Sequence, residues 1–142
     1  MNKQYMSLTR FCNQNQGMTQ RPTNIHKAYH AHVYFGPGTA AQALALREAA
    51  GATLKVAVGR FHEKLVGPHP HWSFQLAFSH AEFDTVIAWL EAHRKGLDVF
   101  VHGVTGNDLQ DHTTHAYWLG EASTLDLSTF TQAGSAAGSG SC

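Results

Sequence analysis

The chain is short of charge. Of its 142 residues only 14% are charged, with ten Lys plus Arg against ten Asp plus Glu, so the formal net charge is zero. Without a basic excess there is no field to draw phosphates, which argues against nucleic acid as a partner. Cysteine is scarce too: Cys12 and Cys142 stand near opposite ends, too few for a disulfide framework and in no ligand motif. No apolar run approaches the roughly 18 to 20 residues of a membrane helix. The stretch Asn13, Gln14, Asn15, Gln16 is polar where a signal peptide has its apolar core. The expectation is a cytoplasmic protein with no membrane contact. A surface poor in charge is often one covered by a second subunit, so a homodimer is expected.

What the chain has in excess is histidine, eleven in all. Neutral imidazole is the commonest protein metal ligand. Most of the histidines fall in short clusters: Tyr29-His30-Ala31-His32, Gly67-Pro68-His69-Pro70-His71, and His102 through His112 and His115. These lie far apart, so only a fold can gather them. With 43% hydrophobic residues the chain can bury one ordinary core. Residues 1–26 are polar without periodicity, and residues 131–142 are rich in Gly, Ala and Ser. Both read as flexible segments around a single domain over residues 27–130.

Within that domain the pattern predicts a strand over 28–35 ended by Gly36-Pro37-Gly38, then a helix over 40–50 capped by Thr39 and closed by Gly51. Ala43, Leu44 and Leu46 are its apolar positions. A second strand is predicted over 53–61 and a proline-bounded loop over 63–70. The third strand, 71–78, alternates Trp72, Phe74, Leu76, Phe78 against His71, Ser73, Gln75, Ala77. Ser79 and Glu82 form a capping-box pattern before a helix with Phe83, Val86, Ile87 and Leu90 as its stripe. A fourth strand covers 97–104 and a short fifth 116–119. The order βαββαβ is that of an α+β ferredoxin-like sandwich, with two helices on one sheet face and the other face open.

Alternation then sorts the histidines. Ala31, Val33, Val99 and Val101 suit the helix face, which leaves His30, His32, Tyr34, His71, Ser73, Gln75, Phe100 and His102 on the open one. A one-residue slip in any strand would remove its contribution. His62, His69, His112 and His115 sit at strand ends, where they can cover the rim. His80 and His93, at the ends of the second helix, read as caps or solvated positions, and His26 as incidental. Asp108 and Asp111 read as turn and capping residues.

The strings Tyr29 to Phe35, Gly67-Pro68-His69-Pro70 followed by Ser73-Phe74, Val101-His102, Asp111-His112-Thr113 and Trp118-Leu119-Gly120 resemble the DOPA 4,5-dioxygenase family over roughly residues 27–130. One departure is Gly103, where the family often has Pro after the fourth-strand histidine. The resemblance implies a dimeric ferredoxin-like fold and extradiol cleavage of a catechol such as DOPA with non-haem Fe(II) and O₂. On this reading His32, His69 and His102 are expected at the metal, and His30 and His112 as acid/base groups or alternative ligands. Tyr34 and Gln75 are expected to orient substrate and Arg60 to meet a substrate carboxylate. Non-haem iron sites often pair two histidines with a carboxylate; no carboxylate here is an obvious third ligand, Glu63 being the nearest candidate, so an all-histidine site stays open. Two other readings stay open: a non-catalytic module that binds a metal or a small aromatic ligand, and a hydrolase or isomerase using Zn(II) or another divalent metal at the same histidines.

Overall fold

The computed structural model describes residues 22–130. The segments expected to be flexible lie outside this range except for residues 22–26. Five strands form one antiparallel sheet: β1 (Ala28–Phe35), β2 (Ala57–Val58), β3 (Trp72–Ser79), β4 (Val99–Gly103) and β5 (Ala116–Leu119), in the order β2-β3-β1-β4-β5. Helices α1 (Ala40–Thr53) and α2 (Phe83–His93) follow β1 and β3, and a one-turn helix α3 (Asp108–Asp111) joins β4 to β5. The molecule is an α+β fold, consistent with a ferredoxin-like sandwich carrying an added edge strand. Among the described residues no helix is long and apolar enough to cross a membrane.

The central strand fixes the site. β1 pairs with β3 on one side, setting His32 opposite Gln75, and with β4 on the other, setting His30 opposite His102 and His32 opposite Phe100. Because side chains alternate, Tyr29, Ala31, Val33 and Phe35 of β1 enter the core with Phe74, Leu76, Val99 and Val101 and with Val86, Ile87 and Leu90 of α2. Ala31, Val33, Phe74, Leu76, Val99 and Val101 are fully buried. Direct cross-strand neighbours sit about 5 Å apart, so the register alone brings three imidazole rings together on the opposite face.

Several boundaries differ from expectation. Helix α1 runs through Gly51 to Thr53, its end marked by the Leu54 N–H donating to the Ala50 carbonyl at 2.9 Å. Gly51 does not take the left-handed conformation that would stop a helix, and a Cβ there would meet Val58 Cγ2 at 3.4 Å. The glycine therefore serves close helix-strand packing rather than termination. Thr39 makes no side-chain cap bond into α1; its Oγ1 accepts from Gly36 N at 3.0 Å. Leu44 is exposed, and the buried stripe is Ala43, Leu46 and Ala50.

The extended helix shortens β2 to two residues, after which pairing continues in pieces: Gly59 N donates to Gln75 O at 2.7 Å, and His62 pairs with Ser73. Between them Phe61 turns inward to stack on Phe35, with ring centroids 4.4 Å apart. Ser79 likewise builds a turn rather than a helix cap, for its hydroxyl bonds Glu82 Oε1 and its carbonyl accepts from Glu82 N, and α2 begins only at Phe83.

Candidate metal centre

The sheet face away from α1 and α2 is not bare. The 63–70 loop brings His69 over it, and α3 brings His112, so His32, His69, His102 and Phe100 are all buried although none joins the helix-side core. The 3-10 turn Leu127–Phe130 closes the rim: Phe130 packs on His112 with centroids 4.8 Å apart, and Asp126 N donates to Pro68 O at 2.8 Å. Trp118 of β5 lies against Phe100 and Tyr34.

At the centre, His32 Nε2 and His102 Nε2 are 3.1 Å apart. His30 completes a group of three whose ligand atoms all lie within 4.8 Å of one another, and no carboxylate among the described residues joins it. Two nitrogens at about 2.1 Å from one metal and about 90–110° apart are about 3.0–3.4 Å from each other, so the 3.1 Å pair fits two ligands of a single ion. The ring chemistry fits as well. His102 Nδ1–H donates to Gly103 O at 2.8 Å, which leaves the lone pair on Nε2. His112 is arranged alike, with Nδ1–H donating to Asp108 O at 2.7 Å.

Electrostatics keeps His30, His32, His69 and His102 neutral. Burial first, and then the neighbouring imidazoles His69, His102 and His30, hold His32 well below the usual imidazole range. Burial pushes His102 down to about 3, against the opposing bond to Gly103, and pushes His69 down to about 4 with His112 and His62 adding to it. His30 is lowered by burial and by His112. Neutral imidazole is the form that binds metal, so His30, His32 and His102 can hold a divalent ion of the kind that accepts nitrogen ligands. With three uncharged ligands the charge of the ion stays uncompensated, which favours an anionic oxygen as a further ligand.

The remaining sequence candidates distribute as follows. His69 lies beside the group, its ring 4.1 Å from that of His32 and its Nδ1 2.7 Å from Tyr34 Oη. His112 flanks the other side, 4.1 Å from the His102 ring. Tyr34 is buried against His69 and Trp118, and burial pushes its hydroxyl up, so it remains protonated. Gln75 is half-buried beside His32 across the β1–β3 ladder. Arg60 and Glu63 are exposed and neither belongs to the group. His71 is exposed, 3.1 Å from Ser123 Oγ, and His80 and His93 are exposed at the ends of α2. His93 Nδ1 is held by Trp89 O at 2.8 Å.

Sequence reasoning missed four contributors. Asp111 is buried, not a solvated turn residue: it accepts from Thr105 N at 2.8 Å and Thr105 Oγ1 at 2.6 Å and pairs with His115 at 3.1 Å. Burial raises its carboxyl, but the Thr105 and His115 bonds outweigh this and hold it below the ordinary range. This clasp fastens the loop from β4 into α3 and so places His112. Its signal was the i,i+4 spacing to His115. Trp118 was readable from alternation once β5 is registered on Phe100, whereas Phe130 had no signal. His26, taken as incidental, packs over Gly103 and against His115 at 4.5 Å. A side chain at position 103 would collide with the His26 ring.

The chain as a whole is similar to known proteins. A sequence profile of the Dopa 4,5-dioxygenase family matches residues 29–129. The chain belongs to this family. It is 33% identical over 110 residues to the DOPA 4,5-dioxygenase of Amanita muscaria, covering 71% of this chain and 48% of that one. It is 31% identical over 118 residues to an uncharacterized 21.2 kDa protein of Botryotinia fuckeliana, covering 75% of this chain and 64% of that one. The chain thus spans about half to two thirds of these relatives. A candidate dioxygenase from Nostoc punctiforme, known from its crystal structure, is 40% identical with a TM-score of 0.73, covering 76% of this chain and 94% of that one.

Proposed function

We propose that the protein is a non-haem Fe(II) extradiol dioxygenase that opens the ring of a catechol, with DOPA as the model substrate, using O₂. The observation that carries this reading is the pair of buried Nε2 atoms 3.1 Å apart, completed by His30, in a member of a dioxygenase family. Fe(II) held by His30, His32 and His102 supplies the electron transfer through which a catechol and O₂ react. On this proposal His30 is a metal ligand and not an acid/base group, a reading supported by its ligand atom lying within 4.8 Å of those of His32 and His102.

The chain's own groups do the rest. His112 Nε2, with its lone pair free, accepts the proton of a catechol hydroxyl and returns it to the product. Phe100, Trp118 and Phe130 give the aromatic ring apolar walls and exclude water from one side of the centre. Gln75 orients the substrate from beside His32, and Arg60 meets a carboxylate carried on the substrate's side chain. A homodimer belongs to the same reading, supported by the low charge of the chain, and a solution mass near twice 15.5 kDa checks it.

The test is oxygen consumption. Protein reconstituted anaerobically with Fe(II), given L-DOPA and then simpler catechols, should consume one O₂ per catechol and form a yellow ring-opened product. Stoichiometric metal binding with no oxygen uptake from any catechol would instead leave a binding module. Replacing His112 by Gln should lower kcat by about 10²–10⁴-fold with the metal retained.

A further inference from the structure

Hydrogen-bond bookkeeping separates the histidines around the centre into two kinds. His102 and His112 donate from Nδ1 to backbone carbonyls, so each presents an Nε2 lone pair. His69 is different because its Nδ1 faces a hydroxyl, Tyr34 Oη, at 2.7 Å. A hydroxyl either gives or takes, so the direction of this bond decides which nitrogen of His69 carries the proton. Tyr34 is buried, and its one hydrogen-bond partner among the described residues is that Nδ1. Were Nδ1–H the donor, the tyrosine proton would be buried with no acceptor, a costly arrangement. The tyrosine therefore donates, Nδ1 accepts, and neutral His69 carries its proton on Nε2.

We infer that Tyr34 is a positioning residue that fixes His69 as an Nε2–H donor, which keeps His69 off the metal and assigns it to hydrogen-bond an oxygen of the bound catechol. The ring is well placed for this. It lies against His32 and across from His112, with centroids 4.1 Å and 6.3 Å away, so the two flanking histidines address the centre with opposite polarity. His69 offers a proton where His112 offers a lone pair. Such a division suits a ligand with two adjacent oxygens, one to be deprotonated and one to be held. The assignment to catechol rests on the proposed activity; the tautomer does not.

The test begins with unmodified protein. In ¹⁵N-labelled protein, with and without Zn(II), long-range ¹H–¹⁵N correlation of the imidazoles at neutral pH should show His69 protonated at Nε2 and unchanged by zinc. His102 should show a proton on Nδ1 and a zinc-shifted Nε2. A proton on His69 Nδ1 with a zinc-shifted Nε2 would overturn the inference. Zn(II) titration gives a second readout: His69→Gln should keep Kd within about tenfold of the parent, whereas His102→Gln should weaken it about a hundredfold or more. A loss beyond about tenfold in His69→Gln would place His69 among the ligands. In Tyr34→Phe the His69 signals should become a tautomer mixture, with zinc affinity held and kcat lowered about tenfold at unchanged KM. A single unchanged His69 tautomer in that variant would contradict the positioning role. If no catechol is turned over by the parent, the proposed activity fails while the tautomer result still decides this point.

Discussion

The two faces of the sheet are built from the same strands and have opposite chemistry. On the helix side Ala31, Val33, Val99 and Val101 are sealed in an apolar core; one residue along, His30, His32, Phe100 and His102 face the loops. The first face gains stability from burial of apolar surface. On the second, polar rings are buried and their charged forms are suppressed, at a cost to stability, with ring nitrogens of His32 and His102 directed at one another. Alternation along β1 and β4 thus divides the work of folding from that of the site, and each face should respond to its own kind of perturbation.

The sharpest contrast comes from paired substitutions. Phe74→Ala, on the core face, should cost about 3–5 kcal/mol of unfolding free energy. Metal affinity per folded molecule should stay as in the parent. Urea titration combined with Zn(II) binding checks both halves, and a large loss of affinity would show that the faces are coupled. Conversely His102→Gln should lower metal affinity about a hundredfold or more yet leave the metal-free thermal midpoint unchanged or raised, because a buried imidazole with a suppressed proton is removed.

Acid should act mainly on the imidazole face. In the folded metal-free protein His32, His69 and His102 protonate well below the unfolded value of about 6.5, with His69 near about 4 and His102 near about 3. The unfolded chain therefore binds more protons between these values and pH 6.5, and stability must rise with pH across that window. The stability is fully present above about pH 6.5 and is lost on acidification toward pH 4, by about 1.4 kcal/mol per pH unit for each such ring. Unfolding followed from pH 7 to 5 should show this slope, and it should be shallower in His69→Gln. A flat profile would contradict burial of neutral rings.

The smallest effect is expected at the back of β4. Gly103→Ala pushes against the His26 ring, a side chain on the arm before β1, and should cost about 1 kcal/mol. His26→Ala in the same chain should restore the loss, as a thermal double-mutant cycle would reveal. Persistence of the full cost would mean that backbone, not the His26 ring, is displaced.

Much of this was legible in the sequence, for reasons particular to each element. β1, β3 and β5 are bounded by strong alternation or turn residues, and their period alone divides His30, His32, Tyr34 and Gln75 from the core. The end of α1 was not legible, because Gly51 reads as a stop and only tertiary packing against Val58 shows otherwise. For the same reason β2 was overdrawn. Within the site, His32 and His102 could be placed on one face by pattern, but their 3.1 Å approach depends on the β1–β4 register. The clasp of Asp111 by Thr105 and His115 and the packing of Phe130 on His112 arise between segments with no periodic signal. The bond between Tyr34 Oη and His69 Nδ1 was hidden as well, because it joins a strand to a loop with no periodic signal.

The central claim is that the imidazole face holds one metal ion at a defined trio. Anomalous diffraction at the iron edge from crystals of protein loaded with Fe(II) under anaerobic conditions tests it most directly. A single strong peak bounded by the nitrogens of His30, His32 and His102, with His69 and His112 outside bonding distance, is the result expected. A peak coordinated by His69 in place of His30, or iron bound only away from this face, would contradict the account.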